Sequence, residues 1–229
     1  MSGLLKLYYS PDCEEQAQAY ANWCDLIAAD EFPKVSALCL SADGLGLLSS
    51  EYSKPFYVVH KREAYRTELL KACGSGQTIL DACAGFGADG LVLAQQGWQV
   101  TMVERERIVW LLLQSVFAGF TGVQTLCADG IDHLGSTTQD WDVIYLDPMF
   151  PSRNKRALPH RGLQHLRQLA APFDHDLGTC IRLAQRRALH RVVLKRRATD
   201  PIVLPPNFQV RGSTIRFDVY TGLVSDRTA

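Results

Sequence analysis

No stretch of this chain holds the roughly 18 successive apolar residues that a bilayer-crossing helix requires, so no membrane span is expected. The only early apolar stretch is interrupted by Lys6 and by the acidic cluster Asp12, Glu14 and Glu15, which a secretory leader does not tolerate. A soluble, cytoplasmic protein is expected. Cys-x-x-Cys pairs are missing as well. The seven cysteines, Cys13, Cys24, Cys39, Cys73, Cys83, Cys127 and Cys180, are odd in number and mostly lie among apolar residues, where a thiol behaves as a small hydrophobe. Neither a disulfide framework nor a zinc site is expected. Internal repeats and low-complexity tracts are also absent, which removes solenoids and disordered tails.

Net charge is the last absence, with 24 basic against 24 acidic residues. Taken over the whole chain, that balance speaks against a polyanionic partner, but its distribution reverses the argument. Residues 1–150 carry 9 Lys/Arg and 19 Asp/Glu, a balance of −10, whereas residues 151–229 carry 15 and 5, a balance of +10. A phosphate-facing surface produces this asymmetry. An ordinary solvated basic helix face produces it too, so charge alone leaves both open.

A chain of 229 residues, 47% of them hydrophobic, can bury one good core plus an appendage. The first 60 residues read as a strand (Leu4–Tyr9), a helix (Glu14–Ala29) and two strands (Val35–Leu40 and Phe56–His60), punctuated by Pro33, Pro55, Gly44 and Gly46. With a helix over Arg62–Ala72 that stops at Cys73-Gly74-Ser75-Gly76, they form a small α+β extension, residues 1–72. From Gln77 the register alternates between strand and helix. Strands are expected at Thr78–Ala82, Gln99–Val103, Val123–Cys127, Val143–Leu146 and Val192–Lys195, with helices at Phe86–Gln96, Arg107–Phe120 and Leu177–Leu189. Phe208–Arg211 and Thr214–Tyr220 flank Gly212-Ser213 as an antiparallel hairpin. The expected fold is α/β: a doubly wound, mostly parallel, seven-stranded Rossmann-like sheet over residues 73–229, closed by a C-terminal hairpin. That ending suits the methyltransferase version of the sheet better than a dehydrogenase, which continues with a parallel strand.

The first strand of this sheet runs into Asp81-Ala82-Cys83-Ala84-Gly85-Phe86-Gly87-Ala88-Asp89-Gly90, a small-residue loop that opens a helix. Its glycines let backbone approach a ligand closely, and the helix N-terminus offers free N–H groups. Gly85-x-Gly87-x-x-Gly90 also matches the dinucleotide fingerprint, so a nicotinamide cofactor stays open. Glu104, ending the second strand, can accept hydrogen bonds from both ribose hydroxyls of an adenosine-containing cofactor, whether a nicotinamide dinucleotide or a methyl donor. Asp129, after the third strand, is placed to meet an adenine amino group or simply to cap the next helix.

The most specific signal is Asp147-Pro148-Met149-Phe150-Pro151, directly after the fourth strand. Chemistry in a doubly wound sheet sits at the carboxyl ends of the strands, beside the switch point. Two prolines fix the backbone and preset its carbonyl acceptors. If the Asp147 carboxylate and the Pro148 carbonyl accept the two N–H bonds of an exocyclic base amine, its lone pair is freed to attack a methylsulfonium carbon. Phe150 can stack on the base. The competing reading is a strand-ending Asp-Pro turn with an aromatic plug. Immediately downstream come Arg153, Lys155, Arg156 and Arg161, and later Lys195 and Arg196, which are expected to meet RNA phosphates. His160 and His165 have no carboxylate or cysteine at ligand spacing, and no metal is expected.

With these residues laid out, the chain resembles, from about Phe56 to Thr221, the bacterial small-subunit ribosomal RNA methyltransferase family that modifies a guanine N2 near the 3′ end of 16S rRNA. The likeness rests on Asp81-Ala82-Cys83-Ala84-Gly85-Phe86-Gly87-Ala88-Asp89, Glu104-Arg105, Leu146 to Pro151, Val193-Leu194-Lys195-Arg196 and Arg216-Phe217-Asp218-Val219-Tyr220. Met149, where most amino-methyltransferases carry a second proline, makes it specific. The resemblance implies S-adenosylmethionine as cofactor, with Ala88-Asp89, Glu104-Arg105, Asp129-Gly130 and Asp147 joining Asp81, Gly85 and Gly87 around it. It also implies 16S rRNA, or the small ribosomal subunit, as partner. The chain departs from the family at Ala88, where an arginine is common, and at Asp129-Gly130, where Ser-Ser is common. The amine chemistry on its own fits an N6-adenine methyltransferase equally, and a non-catalytic nucleotide-binding domain is the third alternative.

Overall fold

The computed structural model describes residues 3–59, 67–148, 169 and 172–224. Phe150, Arg153, Lys155, Arg156 and Arg161 lie outside the described residues.

Two compact units divide the chain, residues 1–61 and 62–229. The first is a five-stranded sheet in the order β2-β1-β3-β4-β5, with β1 (Leu5–Tyr9), β2 (Cys24–Ala28), β3 (Ala37–Ser41), β4 (Gly44–Leu48) and β5 (Phe56–Tyr57). β1 runs parallel to both β2 and β3, and the rest is antiparallel. The helix expected over Glu14–Ala29 ends after one turn, α1 (Glu14–Ala17), and its second half is β2. β2 pairs with β1 continuously, from Leu5↔Cys24 to Tyr9↔Ala28, and this pairing outweighs the weak helix preference of the alanine-rich run. The glycines read as punctuation are part of β4. Gly44, at φ +103°, takes the left-handed conformation after the Ala42-Asp43 turn. A Cβ on Gly46 would come within 2.7 Å of the Tyr57 ring.

In the second unit, α2 (Thr67–Cys73) packs against the C-terminal strands. Its Leu69, Ala72 and Cys73 are wholly buried in that unit's core, so the helix belongs with the large sheet instead of closing the N-terminal extension. β6 (Thr78–Asp81), α3 (Ala88–Gln95), β7 (Gln99–Glu104), α4 (Arg107–Phe117), β8 (Val123–Cys127), α5 (Gly130–Ser136), β9 (Trp141–Leu146), α6 (Leu177–Gln185), β10 (Ala188–Arg197), β11 (Phe208–Arg211) and β12 (Ile215–Thr221) follow. The sheet order is β11-β12-β10-β9-β6-β7-β8. β8, β7, β6, β9 and β10 are parallel, and the β11–β12 hairpin joins β10 antiparallel through β12. This is the doubly wound, seven-stranded α/β sheet expected from the sequence. α5 is the helix that the capping alternative for Asp129 required; its range was not legible because Gly130 and Gly135 depress its intrinsic helix preference.

The sheet is covered on both faces, which explains the nearly continuous apolar runs of its central strands. Ile79, Val143, Tyr145, Val193 and Phe217 face Leu69, Leu93, Leu113 and Phe117 of α2, α3 and α4. Leu80, Ile144, Leu146, Val192 and Leu194 face Ile131, Leu134, Ile181 and Ala184 of α5 and α6. Each such large aliphatic side chain stabilises the fold by about 1.5–3 kcal/mol. The chain leaves β6 towards β7 on one side and β9 towards β10 on the other, so a switch-point crevice opens at the carboxyl ends of β6 and β9.

Candidate active site

Asp81 ends β6 with 2% of its surface exposed. Burial pushes its carboxyl up to about 7; the Cys83 N–H and Lys195 oppose that rise, and the Asp147 and Glu104 carboxylates add to it. The loop beyond it turns through Gly85 and Gly87, both left-handed at φ +56° and +80°. A Cβ on Gly87 would lie 2.5 Å from Leu113 and 2.6 Å from Phe117, so the turn can press against α4 only without a side chain. Gly90 plays the packing part of the fingerprint, since a Cβ there would overlap Met102 on β7. The first turn of α3 then presents backbone N–H groups at the crevice.

Glu104, at the end of β7, is 9% exposed. Its Oε2 accepts the Gly85 N–H at 2.9 Å and its Oε1 the Glu106 N–H at 2.8 Å. Burial raises its pKa while those two N–H groups lower it, with a net upward shift. Each carboxylate oxygen retains a further lone pair for a ribose hydroxyl. Asp129 caps α5, its Oδ1 accepting from Ile131 at 2.9 Å and Asp132 at 3.1 Å. Partial burial raises its pKa, but the N–H groups of Asp132 and Ile131 and the nearby His175 outweigh it and leave the carboxyl below its ordinary value. The capping reading of Asp129 is therefore realised. Gly130 follows because a Cβ at that position would overlap the Ala82 carbonyl.

Arg105 donates to the Pro172 carbonyl at 2.9 Å and lies 3.5 Å from both Asp129 and Asp174. Ala88, exposed on the first turn of α3, has no polar side-chain atom to offer. Asp129, Asp132 and His175 bring ligand-type atoms within 4.8 Å of one another, a grouping that sequence spacing did not reveal.

Asp147 and the buried Pro148 directly follow β9 at the crevice. Asp147 Oδ2 accepts from Lys195 Nζ at 2.7 Å, and the same ammonium donates to Asp89 Oδ2 at 2.6 Å. The buried Tyr145 hydroxyl donates to that Asp89 oxygen at 2.8 Å. Lys195 thus lies among the carboxylates, not on an outward basic surface. Arg196, its neighbour, was expected to meet RNA, yet it is 7% exposed and pairs with Asp200 at 3.5 Å. Successive strand residues point to opposite faces, so the two cations of the Lys195-Arg196 pair cannot serve one site. Tyr145 and Asp89 were missing from the sequence-based catalytic set; Tyr145, a hydroxyl-bearing residue two positions before Asp147 in the run Val143-Ile144-Tyr145-Leu146, carried the only signal.

A family model for SAM-dependent methyltransferases matches residues 46–222. The ribosomal RNA small subunit methyltransferase J of Legionella pneumophila strain Philadelphia 1 is 34% identical over 229 residues, covering 93% of this chain and 94% of that protein. This chain belongs to the small-subunit rRNA methyltransferase J family. The Pseudomonas aeruginosa member of the same name is 33% identical, with 92% of each chain covered. A crystal structure of a SAM-dependent methyltransferase from Neisseria gonorrhoeae shares the fold, with a TM-score of 0.73, 23% identity and coverage of 97% of this chain and 98% of that one.

Membership makes S-adenosylmethionine the cofactor, and the residues present fit it. Its α-ammonium and sulfonium are cationic, and the crevice gathers Asp81, Asp89 and Asp147 around Lys195, with Glu104 acting on Asp81 from the next strand. Gly85 and Gly87 form a cradle without side chains. A nicotinamide dinucleotide, with its pyrophosphate, suits this carboxylate excess poorly. Among the described residues no helix is long and apolar enough to cross a membrane.

Proposed function

We propose that the protein methylates the exocyclic N2 amine of a guanine in 16S rRNA of the small ribosomal subunit, in the cytoplasm. The observation that carries this reading is the Asp147 carboxylate held by Lys195 beside the glycine loop after β6. Guanine and 16S rRNA come from the family likeness, and the amine chemistry from the residues.

A base amine is a poor nucleophile because its lone pair is delocalised into the ring. Asp147 and the Pro148 carbonyl accept its two N–H bonds, which turns the lone pair out of the ring plane. The bound cofactor supplies an electrophilic methyl group. Asp81, the Gly85–Gly87 backbone and Glu104 hold that cofactor, Glu104 through the ribose hydroxyls. Phe150 stacks on the base, a contact worth about 1–3 kcal/mol. Asp147 takes the proton released from the amine. No covalent bond to the enzyme forms, so catalysis rests on positioning. Arg153, Lys155, Arg156 and Arg161 contact phosphates of the incoming RNA.

Mass-spectrometric mapping of modified nucleotides in 16S rRNA, from cells with and without this gene and with the gene restored, tests the reading. A single N2-methylguanine lost and regained is expected. An unchanged map removes the substrate assignment. Purified protein offered free rRNA and assembled subunits separately identifies which form it accepts.

A further inference from the structure

We propose that Lys195 is a positioning residue for methyl transfer: clamped between Asp89 and Asp147, it fixes the Asp147 carboxylate as an oriented acceptor for the base amine. This rests on the methyl-transfer reading above and assigns Lys195 a role other than phosphate binding.

The clamp is built by the fold. Parallel pairing of β10 with β9 places Leu194 opposite Leu146, so Lys195 and Asp147 are the next residues on adjacent strands. Tyr145 and Val193 are paired one step earlier, and Asp147 and Lys195 share their face. Asp89 reaches the same point from α3, which Gly90 seats tightly on Met102. The ammonium approaches Asp89 at 2.6 Å and Asp147 at 2.7 Å, with side-chain exposures of 18%, 8% and 34% for Lys195, Asp89 and Asp147. Tyr145 steadies the far end by donating to Asp89 at 2.8 Å. An ammonium with two of its three donors engaged in this way sets where Asp147 points, because Asp89 and Tyr145 leave Nζ little freedom.

Charge requires the clamp as much as geometry does. Among the described residues, Asp147 faces the Asp81 carboxyl and the Cys83 thiol from the loop after β6, with Glu104 behind them from β7, Asp89 from α3 and Tyr145 on its own strand. Every acidic group in that set disfavours another negative charge. Lys195 is the cation that meets Asp147 directly, and it lowers the Asp81 carboxyl as well.

The test compares Lys195→Met and Lys195→Arg with wild type. S-adenosylhomocysteine binding is measured by calorimetry, and methyl transfer to rRNA under single-turnover conditions and as a function of RNA concentration. Lys195→Met should bind S-adenosylhomocysteine within several-fold of wild type and keep its KM for RNA. Its transfer rate should fall about 100-fold. Lys195→Arg should restore most of the rate. An unchanged rate in Lys195→Met, or a defect confined to KM for RNA, overturns the proposal. If Lys195→Met does not fold, the neutral but hydrogen-bonding Lys195→Gln takes its place under the same criteria. Wild-type protein that binds S-adenosylhomocysteine but leaves rRNA unmethylated overturns the functional reading and this proposal together; wild-type transfer with an indifferent Lys195 overturns this proposal alone.

Discussion

The backbone N–H of Gly85 donates to Glu104 Oε2 at 2.9 Å, tying the glycine loop after β6 to the end of the neighbouring strand β7. Glu104 Oε1 is engaged as well, by the Glu106 N–H at 2.8 Å. Glu104→Gln therefore sets an amide N–H against one of two backbone donors. A buried donor without an acceptor costs about 1–3 kcal/mol. Calorimetry with S-adenosylhomocysteine should show a dissociation constant raised about tenfold or more; unaltered affinity would mean that the ribose is held elsewhere.

Asp81 makes stability and cofactor affinity respond oppositely to pH. Its carboxyl rises from 3.8 to about 7 on folding, mainly through burial. Between those values the native state holds a proton that the unfolded chain has lost. The group's stabilising contribution is thus fully present below 3.8 and is lost as pH rises through about 7. Asp81→Asn removes this slope, so denaturant titration of the cofactor-free variant should show a larger gain over wild type at high pH than at low pH. A cationic cofactor prefers the ionised carboxyl. Wild-type affinity should weaken by up to about tenfold per pH unit on the acid side of this transition and level off on the alkaline side.

Two glycines in α5 should respond with opposite signs. A Cβ on Gly130 overlaps the Ala82 backbone, which cannot swing aside, whereas a Cβ on Gly135 meets nothing within 4 Å. Gly130→Ala should lower the melting temperature and weaken cofactor binding, because the clash falls on the glycine loop. Gly135→Ala should stabilise by about 0.5–1 kcal/mol, the helix preference of alanine over glycine. Thermal melts of both variants with and without S-adenosylhomocysteine check this.

Asp147→Asn keeps the size of the side chain and removes its charge. Loss of a positioned proton acceptor typically costs about 100-fold to 10,000-fold in rate. S-adenosylhomocysteine binding should stay within a few-fold of wild type. Retained transfer would assign the amine to another acceptor.

The sequence was most legible where spacing itself is the chemistry. Gly85, Gly87 and Gly90 could be read because each does locally what its position in the motif requires. The alternation of strands and helices from Gln77 likewise follows from burial on both sheet faces. What escaped was set by partners distant in sequence. β2 is a strand because β1 pairs with it, despite the alanine-rich run that precedes it. Lys195 and Arg196 read as one basic pair, yet β10 sends one to the carboxylates and the other to Asp200. Asp89 lay in the quoted loop motif, but its link to Tyr145 and Lys195 spans 56 and 106 residues.

The carboxylate excess at the carboxyl ends of β6, β7 and β9 also bears on turnover. Before transfer the donor carries a positive sulfur; afterwards it is a neutral thioether. Among the described residues the acidic groups at these strand ends outnumber the cations, so the crevice holds the first more tightly than the second. Methyl transfer thus discharges the attraction that retained the donor, and the spent molecule leaves a site that favours its replacement.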